Sequence, residues 1–278
     1  MTYATVMVSL AIDQPNDARL AVACQIAERF QAGLVGIVAA VFSPPPYFTI
    51  GEEAQKLVDQ GQASIRRRIS ELENQFREVT KNRAKHVEWR CAVDFPARYV
   101  LKEARCADLI VSGGRSDAFS DPFGSLTPRD MVMEAGRPLL VVPDSVDWLD
   151  SRSMLVAWKD TPEARRAIVA ALPMLRKARD VAVAEIVEQE GGQTAAPVER
   201  VRDVARWLLR HGVSASELVA LQDQDQNAGD QLDGLAANVG AGTIVAGAYG
   251  HSRFRELILG GVTQHLITQS ARCALLAH

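Results

Sequence analysis

Short apolar runs alternate with amphipathic segments along this chain, and the whole order occurs twice. In the first pass Thr5–Ile12, Leu34–Phe42, His86–Val93, Asp108–Ser112 and Pro138–Pro143 read as strands. Helical period fills the intervals at Ala18–Phe30, Glu52–Lys81, Pro96–Arg105 and Leu126–Ala135. In the second pass the strands are Met154–Trp158, Val181–Val187, Ala215–Leu221, Thr243–Ala248 and Ala274–His278. Helices are expected over Thr161–Lys177, Val198–Arg210, Gln231–Val239 and Val262–Ser270. Strands separated by helices pair in parallel through right-handed crossovers, so each pass implies an α/β domain with a doubly wound five-stranded parallel sheet. Residue signatures recur with the order. Arg137-Pro-Leu-Leu-Val-Val matches Arg272-Cys-Ala-Leu-Leu-Ala, and Asp108-Leu-Ile-Val-Ser-Gly-Gly matches Thr243-Ile-Val-Ala-Gly-Ala-Tyr-Gly. Asp144–Ser151 reads as a linker, which sets the expected domains at 1–146 and 152–278.

Composition narrows the function classes. The 278 residues, 47% of them hydrophobic, suffice for two small cores, and a net charge of −3 argues against a nucleic acid or an anionic membrane surface as partner. The Arg66-Arg67-Arg68 cluster is flanked by Glu52, Glu53, Glu71 and Glu73 and reads as a solvated helix face. Four cysteines without CxxC spacing suit a reducing compartment rather than a disulfide framework or a zinc site. Met1 leads directly into a strand-like run and no apolar run reaches about 18 residues, so a cytoplasmic location is expected. No Gly-x-Ser-x-Gly elbow or HExxH motif occurs, and Asp223, Asp225 and Asp230 fit no EF-hand spacing.

Three spaced glycines carry the functional signal. Thr243-Ile-Val-Ala-Gly-Ala runs into Gly247-Ala-Tyr-Gly250, and a helical stretch follows Gly260-Gly261-Val262. Glycine admits close backbone approach, and the first amides of a helix lack intrahelical partners, so the arrangement suits a phosphate. The spacing Gly-x2-Gly-x9-Gly resembles the nucleotide loop of universal stress proteins, and the whole chain looks like two such domains in tandem. Leu155-Val-Ala-Trp-Lys-Asp-Thr-Pro-Glu-Ala, Gly260-Gly-Val-Thr and Pro138-Leu-Leu-Val-Val-Pro carry the likeness. The resemblance implies the adenine nucleotide α-hydrolase-like fold, strand order 3-2-1-4-5 in each half, and pairing through the fifth strands. An intramolecular pseudo-dimer follows, and with it the capacity to form a homodimer.

The same resemblance implies ATP or another adenine nucleotide as ligand, with Mg2+ only alongside it. Carried onto this sequence, the site comprises Ala157, Trp158, Lys159, Ala246, Gly247, Tyr249, Gly250, Gly260, Gly261 and Val262. Two positions depart from the family pattern. Lys159 stands where ATP-binding members carry an acid that meets the ribose, and Gly261 stands where the motif has Ser or Thr. Lys159 is either a phosphate partner or a solvated lysine, and Trp158 either stacks near a base or caps the sheet. The first half departs further: Gly114-x9-Gly124-Ser125 is kept, but Val111 is expected at the first glycine and Ala11 at the strand-one acid, with Asp117 and Asp121 in the loop. Gly250→Val is therefore expected to abolish binding and Gly114→Val to leave it nearly unchanged. No catalytic residue is assigned. His251 is a surface loop histidine or a base for slow ATP hydrolysis, and His265 is expected in the core or an interface. The readings that remain are a nucleotide-binding stress-response protein, a nucleotide-free scaffold acting through its dimer surface, and a weak ATPase.

Overall fold

A computed structural model describes residues 2–12, 14–42, 52–114, 126–187, 195–248 and 260–278. The first half runs β1 (Thr5–Ser9), α1 (Asp17–Phe30), β2 (Gly33–Ala39), α2 (Glu52–Thr80), β3 (Val87–Ala92), α3 (Pro96–Glu103), β4 (Leu109–Gly113), α4 (Pro128–Glu134) and β5 (Leu139–Val142). The second half repeats it as β6 (Ser153–Ala157), α5 (Pro162–Leu175), β7 (Asp180–Val187), α6 (Ala195–Arg210), β8 (Ser216–Leu221), α7 (Ala228–Asn238), β9 (Thr243–Gly247), α8 (Gly261–Thr268) and β10 (Cys273–Ala277).

Both halves have the expected order, and they are fused edge to edge into one ten-stranded sheet, β3-β2-β1-β4-β5-β10-β9-β6-β7-β8. Pairing is parallel within each half. At the seam β5 and β10 run antiparallel, with Ala274 opposite Val141, Leu275 opposite Leu140 and Leu276 opposite Leu139. The composition of these strands makes the seam. Leu139–Val142 and Cys273–Ala277 are apolar and buried along their whole lengths. Alone, each would be a sheet edge with unpaired amides and carbonyls inviting aggregation, and each blunts the other.

Side chains leave successive strand positions on opposite faces, so the sheet carries two cores. Val6 and Val8 join Leu20 of α1, Phe76 of α2, Ile168 of α5 and Leu208 of α6 on one face. Met7 joins Val100 of α3, Met131 of α4, Leu232 of α7 and Leu266 of α8 on the other. Local chemistry sets the helix starts. Thr161 caps α5 by accepting from the Ala164 amide at 3.3 Å with Pro162 at the first helical position, and Thr127 with Asp130 forms a capping box on α4. The Asp108 carboxylate accepts from the Ala4 and Thr5 amides at 2.8 and 2.9 Å, so this acid anchors the start of β1.

Helix α7 begins earlier than the expected Gln231: Asn227 Oδ1 accepts from the Asp230 amide at 2.9 Å and starts the helix at Ala228. Among the described residues no helix is long and apolar enough to cross a membrane, and no cluster of His, Cys, Asp and Glu is arranged to hold a metal ion.

Candidate functional site

In a parallel sheet of this order the connections leave β6 and β9 in opposite directions, opening a crevice at their carboxyl ends. Ala157 lies opposite Ala246 in the register, so Trp158-Lys159 and Gly247 emerge side by side. A cavity of about 530 Å3 occupies this crevice. Eight of the ten residues singled out from the sequence line it: Ala157, Trp158, Lys159, Ala246, Gly247, Gly260, Gly261 and Val262. Tyr249, Gly250 and His251 lie outside the described residues.

The glycines have separate physical roles. A Cβ on Gly247 would lie 2.7 Å from the Glu163 carbonyl carbon and 2.9 Å from the Ala164 Cα, both backbone atoms of the first turn of α5. This glycine lets the helix seat directly on the end of β9. Gly260 is the N-cap of α8, extended at φ −63° and ψ 152°, and supplies no side-chain cap. The helix begins one residue earlier than the sequence suggested, at Gly261, where an added Cβ would meet nothing within 4 Å. The N-cap thus gives the first amides of α8 no side-chain acceptor at the rim of the cavity, where the positive end of the helix dipole lies.

No carboxylate is among the described residues lining the cavity, and Lys159 is exposed at its rim. Sequence reasoning missed the opposite wall, formed by Gln222, Asn227 and Gly229 before and within α7, together with Ala184 and Ile186 on β7. Asn227 followed by Asp230 was the one local signal, a helix start that brings α7 to the cleft. His265 also lines this wall and is buried, in keeping with its expected place in the core. Its Nε2 lies 2.7 Å from Asp233 Oδ2 and its Nδ1 3.1 Å from Gln269 Oε1. Asp233 in turn accepts from Ser270 Oγ and Arg272 Nη1, each at 3.1 Å. This network pins α8 to α7, and Gly229 makes room for the imidazole, since a Cβ there would lie 2.5 Å from His265 Cβ.

The corresponding place in the first half is built differently. Val6 pairs with Leu109 as Met154 pairs with Thr243, so four residues further on Gly113, not Val111, stands at the position of Gly247. The sequence alignment was displaced because it was anchored on Gly114 and counted back through the loop. Over Gly113 lies a guanidinium: a Cβ there would be 2.7 Å from Arg19 Cζ. Arg19 occupies the place held by Ala164 in the second half and is only 3% exposed. It donates to Ser9 O at 3.2 Å and Gln14 Oε1 at 3.1 Å. Burial pulls it down to about 10, with the Asp144 carboxylate acting in the opposite sense. Gly124, Ser125, Asp117 and Asp121 lie outside the described residues.

No family model and no curated protein matches the sequence. Solved structures do. A universal stress protein from Archaeoglobus fulgidus DSM 4304 superposes with TM-score 0.73 at 13% identity, over 99% of this chain and 98% of that one. The fold is that of a tandem universal stress protein. Two further full-length likenesses come from Pseudomonas aeruginosa. A putative universal stress protein of strain UCBPP-PA14 gives TM-score 0.55 at 14% identity, over 99% of this chain and 93% of its own. A functionally unknown protein of strain PAO1 gives 0.57 at 15%, over 99% and 92%. In this tandem fold the second fifth-strand edge that pairing requires is carried on the same polypeptide.

Proposed function

We propose that the chain is a universal stress protein that binds ATP or another adenine nucleotide in its second half, with Mg2+ entering only with the nucleotide. The observation that carries this reading is the cleft between Ala157–Lys159 and Gly247. It has a size suited to a small ligand, no described carboxylate in its lining, and a helix N-terminus capped by glycine at its rim. Lys159 serves as the phosphate-side cation in place of the ribose-binding acid. We assign the halves as domains 1–146 and 152–278, and a cytoplasmic location in keeping with four free cysteines.

In this reading the chain binds nucleotide without hydrolysing it, although His251, the base a slow hydrolysis would use, lies outside the described residues. His265, the described imidazole of the cleft, has a partner on each ring nitrogen and offers no free base. Titration calorimetry of the purified chain with ATP, alongside mass spectrometry of any co-purified nucleotide, tests the reading. One site per chain, weakened by Gly247→Val, is expected. A chain that carries no nucleotide and gives no heat with ATP, ADP or AMP is the nucleotide-free scaffold instead.

A further inference from the structure

A second cavity, of about 490 Å3, opens between α5 and α6 and shares Trp158 with the nucleotide cleft. Its apolar lining is Trp158, Ile168, Val169, Val204 and Trp207. In the first half hydrogen bonds cross the same interval. There the carboxyl-terminal end of α2 and the residues after it are bonded to α1: Gln75 donates to Asp17 at 2.8 Å, the Cys24 thiol to Val79 O at 3.9 Å, and Arg83 pairs with Glu28 at 2.6 Å. Among the described residues, hydrogen bonds between the α5 and α6 segments occur at one end only, where Arg176 donates to the His211 carbonyl at 2.9 Å. Along the remaining length the two indoles, Trp158 and Trp207, border one space.

The charged groups at this cavity are matched to each other rather than to a charged guest. Arg165 pairs with Asp160, and Arg200 forks onto Glu185 with Nε and Nη2 at 2.5–3.2 Å. Asp203 faces Arg206 at 3.6 Å. The rim therefore selects little by charge, and the walls select by shape and by stacking. Val169, 44% exposed, leaves an apolar mouth open to solvent. Trp158 Nε1 is buried and, among the described residues, has no hydrogen-bond partner, so the indole meets the cavity through its apolar ring. The volume and the five apolar lining residues suit a small-molecule site, with the charged residues engaged in ion pairs.

We propose that this cavity is a second ligand site, taking an uncharged, planar fused-ring aromatic compound. The probe is quinoline, titrated into the full chain free of nucleotide by calorimetry and tryptophan fluorescence, so that a failure here leaves the reading of the cleft untouched. Saturable one-to-one binding is expected. Val169→Trp, a change at an exposed position that fills the mouth, weakens it about tenfold or more, as does Trp207→Ala. Trp148→Phe, at an exposed tryptophan of the connector, leaves it unchanged. Three outcomes overturn the proposal: no saturable binding, undiminished binding by Val169→Trp, or an equal loss in Trp148→Phe.

Discussion

Gly247→Ala sets a local preference against a tertiary contact, and the sign of its effect separates them. Replacing glycine by alanine at an unstrained position ordinarily stabilises by about 0.4–1 kcal/mol, because the unfolded chain loses freedom. Here the new methyl would lie 2.7 Å from the Glu163 carbonyl carbon and 2.9 Å from the Ala164 Cα, against about 3.5–4.0 Å for relaxed carbon contacts. Neither side yields easily. β9 is hydrogen-bonded to β6 on one side and β10 on the other, and the first turn of α5 is held by its Thr161 cap. Overpacking of this kind costs about 1–3 kcal/mol. At roughly 2–4 °C per kcal/mol for a chain of this size, Tm falls by about 2–12 °C in scanning calorimetry. Ala164 also lines the cleft, so ATP affinity falls with it, by about tenfold. An unchanged or raised Tm refutes the seating of α5 on this glycine.

Four other outcomes are expected. Gly261→Ser places its side chain in open space at the start of α8 and restores a hydroxyl beside the phosphate position; ATP should bind about two- to tenfold more tightly by calorimetry, and no gain would remove Gly261 from the site. Gly114→Val, expected from sequence to change nucleotide affinity little, drives its Cβ to within 2.6 Å of the Ile267 carbonyl oxygen in the other half, so the urea midpoint should drop as for a loss of about 1–3 kcal/mol. Burial raises the Cys24 thiol to about 11 and that of Cys273 to about 12, while Cys91 and Cys106 are exposed; at pH 8 a thiol-disulfide reagent should label two cysteines rapidly and the other two only on unfolding. Hydrogen bonds from Arg152 hold the Asp150 carboxyl below its ordinary value, so its contribution is present above that value and lost as pH falls through the lowered one. Asp150→Asn should be less stable than the unchanged chain at pH 7, with the gap closing as the pH is taken below the ordinary carboxyl range in urea titrations.

Much of the fold was legible because it rests on local periodicity. Alternating strands and helices admit parallel sheets with one handedness, and two matching passes through that order imply two matching halves. The seam was legible for the same reason, since Leu139–Val142 and Cys273–Ala277 are too apolar to remain edges. The glycine spacing pointed to one crevice, and the register of β6 with β9 brings Ala157 and Ala246 together there. What sequence pattern does not encode is distance between residues far apart in the chain. That a Cβ at Gly247 collides with α5, that Arg19 lies over Gly113, and that Gly114 abuts Ile267 are all contacts across packed elements. Counting along a loop placed Val111 where strand register places Gly113, because a loop may change length without moving the strands it joins. The far wall of the cleft escaped for a related reason: Gln222, Asn227 and Gly229 carry no motif and reach the site only because His265, held by Asp233, fixes α8 against α7. Periodicity along the chain therefore determined the architecture, and close packing between elements decided which side chains fill each half's crevice and which leave it open.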